Sequence, residues 1–195
     1  PRNILANKEN FKINSKNRSF NNQNSIKAKS SYIKKAVKII SSSNKIVIIA
    51  GGGIKYNSKY KNVIKLAEIL KAPMVTAAGH GDAIPFNNKL NAGQMGPRGN
   101  PVASKLVKEA TVIIALGTRL GFNSTFYSYE NINKKAKIIQ IELEKSMIGR
   151  YFPVAVGING DAATVTEQLY KEIKKQNIIL DIKKWTNNYL DQRNN

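Results

Sequence analysis

The chain has 195 residues, 42% of them hydrophobic and 23% charged, which is enough to bury the core of one ordinary domain with some tail to spare. It has no cysteine and a single histidine, His80, which excludes a disulfide scaffold, a thiolate zinc site, a cysteine nucleophile and a multi-histidine metal centre. The net charge of +20 comes mostly from lysine (26 Lys against 6 Arg), in runs no longer than two and without interleaved aromatics, so it reads as a solvated basic surface and not as a nucleic-acid interface. Because the chain opens on Pro1 rather than methionine, it is expected to be a piece of a longer protein. Residues 1–30 are rich in Asn, Lys and Ser, and read as the end of a preceding domain and an extended connector.

From residue 31, Tyr32, Ile33, Ala36, Val37, Ile39 and Ile40 recur at helical spacing until Ser41-Ser42-Ser43-Asn44 ends the segment. Residues 45–50 (KIVIIA) form an apolar, β-branched run, read as a strand buried on both faces and stopped by Gly51-Gly52-Gly53. An amphipathic helix is predicted over 58–71, capped by Asn57 or Ser58, followed by a strand at 73–77 (PMVTA). A loop with five glycines spans 79–99, and Pro101 opens a helix to about Glu109. Further strands are predicted at 111–116 (TVIIAL), 136–141 (AKIIQI) and 153–157, and a last helix at 161–175 with Asp161 as its N-cap. Residues 176–195, with Trp185 and Tyr189, read as a linker toward a following domain. The alternation predicts an α/β fold for 31–175: a doubly wound, mainly parallel Rossmann-like sheet with helices on both faces. No apolar run approaches the ~20 residues of a membrane span and no leader is evident, so a cytoplasmic protein without a membrane partner is expected.

In such a sheet, ligands sit beyond the carboxyl ends of the strands, so the residues that follow each strand are the candidates. These are Gly51, Gly52 and Gly53, where missing side chains would let a phosphate reach the backbone; Gly96 in the glycine-dense loop; and Gly117, Thr118 and Arg119 after the third strand. Glu142 is placed to accept from a ribose hydroxyl, and Gly160 and Asp161 open the last helix. A glycine turn built only to join strand and helix would look the same as one that holds phosphate, and Gly51–Gly53 is not a full GxGxxG. His80 and Asp82 could form an acid–base pair, although a loop histidine is more often simply solvated. No nucleophile–base pair, Walker lysine or metal cluster stands out, so catalytic and metal sites are expected to be absent from this segment.

Five ordered segments carry a family resemblance: IVIIAGGGI (46–54), GQMGPRG (93–99), TVIIALGTRLG (111–121), AKIIQIELEKSMIG (136–149) and VAVGINGDA (154–162). Together they resemble the central domain of thiamine diphosphate-dependent enzymes of the acetolactate synthase type, and Pro1-Arg2-Asn3 is similar to the "PRD" that closes the preceding domain there. Within that family the segment from His80 to Pro85 is most similar to the "HNDAFP" of the sulfoacetaldehyde acetyltransferases. The resemblance implies a parent enzyme that uses thiamine diphosphate and Mg²⁺ to convert sulfoacetaldehyde and phosphate to acetyl phosphate and sulfite. It also implies flanking pyrimidine- and diphosphate-binding domains that hold the cofactor and a homodimer or homotetramer, so this segment alone is expected to be inactive. In nucleotide-binding relatives the ten candidate residues would touch FAD or ADP, but Arg119 is followed here by Leu120-Gly121-Phe122-Asn123 rather than an "FDDR"-like segment, which argues against FAD and for an empty, structural crevice. The alternatives are an acetolactate synthase or related decarboxylase and, from another class, a stand-alone adenine-nucleotide-binding module.

Overall fold

The computed structural model describes residues 26–55 and 60–193. Two central strands organise it, β1 (Ile46–Ala50) and β4 (Val112–Leu116), and every residue of both is buried. These are the β-branched runs of the sequence, and each Val, Ile or Leu side chain so buried contributes roughly 1.5–3 kcal/mol relative to exposure. They pair in parallel from Ile46 opposite Val112 to Ala50 opposite Leu116. With β2 (Met74–Thr76), β3 (Asn91–Gln94), β5 (Lys137–Glu142) and β6 (Val156–Asn159) they form one six-stranded sheet, all parallel, in the order β3-β2-β1-β4-β5-β6. The chain runs outward from β1 to one edge, returns, and runs outward from β4 to the other. The topological switch point therefore lies between β1 and β4, where crossover connections leave to opposite sides and open a crevice at the strands' carboxyl ends.

Helices cover both faces. On one, α1 (Ser30–Ser41) and α2 (Tyr60–Leu70) each pack against α5 (Ala162–Lys175). On the other lie α3 (Pro101–Glu109) and α6 (Lys183–Arg193), which contact each other and β3. A short helix, α4 (Phe122–Thr125), follows β4. The expected doubly wound α/β sheet is thus the observed one. The expected caps of α2, Asn57 and Ser58, and residues 1–25 of the expected connector lie outside the described residues.

Two helix starts behave as their sequences predict. Pro101 opens α3 while the Asn100 side chain accepts from the Val102 N–H at 2.7 Å. Asp161 caps α5, accepting from the Thr164 N–H at 2.9 Å and its hydroxyl at 2.8 Å. Replacing Asp161 with alanine is expected to cost about 1 kcal/mol in a urea denaturation curve.

Three elements depart from the expectation. The last strand is β6 at Val156–Asn159 rather than 153–157, because Gly157 does not stop it: the glycine sits in mid-strand, where a Cβ would lie 2.4 Å from the Ile148 side chain that covers it. An edge strand, β3, lies inside the glycine-rich loop and pairs irregularly with β2. The segment 176–195 carries α6, which docks on the amino-terminal edge of the sheet: Trp185 donates to the Ile46 carbonyl at 2.9 Å, Thr186 bonds the Lys71 carbonyl at 2.6 Å, and Tyr189 is fully buried with its hydroxyl on Glu109.

Candidate functional site

At the switch point the loops after β1 and β4 cross in direct contact. The Gly51 N–H donates to the Leu116 carbonyl at 2.9 Å and the Gly53 N–H to the Gly117 carbonyl at 3.1 Å. A Cβ on Gly51 would lie 2.3 Å from the Gly117 oxygen, and one on Gly117 would lie 2.7 Å from the Gly53 Cα. Gly117 also has φ +57, the left-handed region. These glycines let two backbones touch.

Beyond this crossing opens a cleft of about 540 Å³. Gly53, Gly117, Thr118, Arg119 and Glu142, all expected from sequence, line it together with His80, Phe122, Ser124 and Tyr127. The buried Gln140 in β5 holds the two charged walls in register: its amide donates to the Thr118 carbonyl at 3.1 Å, and its oxygen accepts from the Gly149 N–H at 2.8 Å. One internal amide thereby ties the loop bearing Arg119 to the segment that follows Glu142. Arg119 is exposed and forms no ion pair among the described residues. Tyr127 stacks on Tyr151 with centroids 4.3 Å apart, and the Phe122 ring lies 5.6 Å from that of Tyr127.

The other expected residues are placed differently. Gly51 and Gly52 do not line the cleft; they lie at the crossing and beneath His80. Gly96 has φ +100 and would press a Cβ to 2.6 Å from the Asn123 carbonyl, so it serves the contact between its loop and α4. A Cβ on Gly160 would lie under 3 Å from the Val165 side chain and the Ile26 carbonyl, and Asp161 donates its N–H to that same carbonyl at 2.9 Å while its side chain caps α5. The segment entering α1 therefore covers Gly160 and Asp161.

Asp82 does not form a dyad with His80; it pairs with Lys55 at 2.5 Å and stays exposed. The Lys55 ammonium holds the Asp82 carboxyl below its ordinary range. Burial of the ring, then the charge of Lys55, lower the His80 pKa despite Asp82, which favours the neutral imidazole. Phe122, Ser124 and Tyr127 were not anticipated; the signal for them was the cluster of aromatics in 122–129, which remain exposed on the surface.

The cleft can bind, with a guanidinium, a carboxylate and aromatic faces, but it brings no nucleophile to a base. Among the described residues no group of three or more His, Cys, Asp or Glu side chains could hold a metal ion. This donor set does not fit a magnesium-bridged diphosphate. Among the described residues no helix is long and apolar enough to cross a membrane.

The ordered glycine crossings and the strand order are those of a nucleotide-type crevice, and comparison with known proteins decides the family. Residues 33–169 match the thiamine pyrophosphate enzyme central domain. The chain belongs to that family. A sulfoacetaldehyde acetyltransferase from Alcaligenes xylosoxydans xylosoxydans is 39% identical over 71% of this chain and 23% of its own length. A second, from Roseovarius nubinhibens, is 37% identical over 71% of this chain and 23% of its own. A probable acetolactate synthase large subunit from Methanococcus aeolicus is 30% identical over 80% of this chain and 27% of its own. The chain thus spans about a quarter of the length of these relatives, and a central domain implies other domains in the same polypeptide.

Proposed function

We propose that the chain is the scaffold domain of a thiamine diphosphate- and Mg²⁺-dependent sulfoacetaldehyde acetyltransferase, a cytoplasmic homodimer or homotetramer in which residues 31–175 join a pyrimidine-binding to a diphosphate-binding domain. The observation that carries this reading is the 39% identity to a sulfoacetaldehyde acetyltransferase across most of the chain. On this reading the cofactor supplies the carbanion chemistry from the flanking domains, and this domain contributes their relative placement. On this reading residues 1–195 alone do not turn over substrate.

The similarity to acetolactate synthases supports a second reading, the central domain of such a synthase. One assay separates them. The full-length protein, given thiamine diphosphate, Mg²⁺, phosphate and sulfoacetaldehyde, is expected to release sulfite in proportion to phosphate consumed, and to form no acetolactate from pyruvate in a parallel reaction. Acetolactate formation without sulfite release would replace the first reading with the second.

A further inference from the structure

The glycine turn after β1 is built like a phosphate cradle but is covered from within. Gly51 and Gly53 abut the Gly117-Thr118 backbone, and a Cβ on Gly52 would lie 2.9 Å from Cε1, 3.2 Å from Nε2 and 3.3 Å from Nδ1 of His80. The nitrogen-bearing side of the imidazole thus fills the space that the missing Gly52 side chain leaves. Its Nδ1 is buried without a hydrogen-bond partner among the described residues, so no bond at that nitrogen fixes the ring against the turn. The Gly52 N–H, first of a 3₁₀ turn, also makes no hydrogen bond among the described residues. That is the type of group a diphosphate would use.

The covering loop is fastened down. The His80 N–H donates to the Ala77 carbonyl at 3.0 Å and its carbonyl accepts from the Ala83 N–H at 2.9 Å, which fixes the turn that carries the ring. Lys55, just after the glycine turn, reaches Asp82, just after His80, and closes the two loops on each other. The titratable groups facing the ring are this pair, and they act in opposite senses: burial and the Lys55 charge lower the His80 pKa, while Asp82 raises it.

We infer that His80 is a specificity-determining plug that closes the glycine turn to nucleoside diphosphates, while the cleft beside it, from Gly53 past Arg119 to Tyr127, stays open. The inference extends the reading of the cleft as structural and does not depend on which substrate the parent enzyme converts. It is independent of the sulfite assay, because its readout is nucleotide binding.

The test is calorimetric titration of the full-length protein with ADP. Wild type is expected to bind ADP weakly, and His80→Ala to bind it at least about tenfold more tightly, the gain expected from one freed charge-assisted hydrogen bond. His80→Phe, which refills the space without nitrogens, is expected to return binding to the wild-type level. Should His80→Ala fail to fold, Asp82→Asn replaces it: this exposed change releases Lys55, loosens the covering loop and is expected to tighten ADP binding by a smaller factor. Equal affinity in wild type and the opened variant, whether tight or weak, overturns the plug, as does tight binding by His80→Phe.

Discussion

Trp185→Ala is expected to lower the unfolding free energy by about 3–5 kcal/mol, the loss typical of emptying a buried aromatic site. The indole lies in the core with its N–H on the first carbonyl of β1, and its ring meets Tyr189 edge-on with centroids 4.6 Å apart. Removing it empties the space and leaves the Ile46 carbonyl without that donor. Urea denaturation of the chain measures the effect, with Asn187→Ala on the exposed side of the same helix as the control, expected within about 0.5 kcal/mol of wild type. A loss below about 1 kcal/mol for Trp185→Ala would mean that α6 is a detached linker in solution and not part of this core.

That helix shows why the sequence was only partly legible. Ile182, Trp185, Tyr189 and Leu190 follow the three-and-four spacing of a buried stripe, but Lys183-Lys184 and Asn187-Asn188 interrupt it with residues common in linkers. β1 and β4 could be read because a central parallel strand is apolar on both faces, and no other element has that pattern over five residues. β3 could not. Asn91-Ala92-Gly93-Gln94 has no β-branched residue, and it becomes a strand only because β2 offers it an edge to pair with. Among the site residues, Arg119 and Glu142 followed from the rule that ligands gather beyond strand ends, which depends on topology and so survives translation from sequence. Tyr127 did not, because its left-handed φ of 55° after a four-residue helix turns its ring toward the cleft without any periodicity to announce it. The glycines were visible, but what fills the space beside each one is a long-range fact: Gly117 opposite Gly53, His80 over Gly52, Ile26 against Gly160.

Gly117→Ala is the variant that separates the two meanings of these glycines. If they exist to admit a ligand, an added methyl blocks binding and leaves the fold alone. The geometry points the other way. The methyl would meet Gly53 backbone atoms at 2.7, 3.0 and 3.1 Å, and Gly53 cannot retreat because its N–H is bonded to the Gly117 carbonyl. The left-handed backbone adds roughly 1–2 kcal/mol for a side chain and the overpacking about 1–3 kcal/mol, so a total loss of about 2–5 kcal/mol is expected. Gly121→Ala, four residues on, has ordinary φ and nothing within 4 Å of its Cβ, and is expected to unfold within about 0.5 kcal/mol of wild type. Matched urea curves for the two variants read the difference directly. A Gly117→Ala protein as stable as Gly121→Ala would mean that the loops after β1 and β4 do not touch in solution, and that the glycine turn is open to ligand after all. The predicted gap instead ties the crevice's shape to the fold's own need to cross two chains at the switch point, a need that would preserve a nucleotide-type crevice with or without a nucleotide.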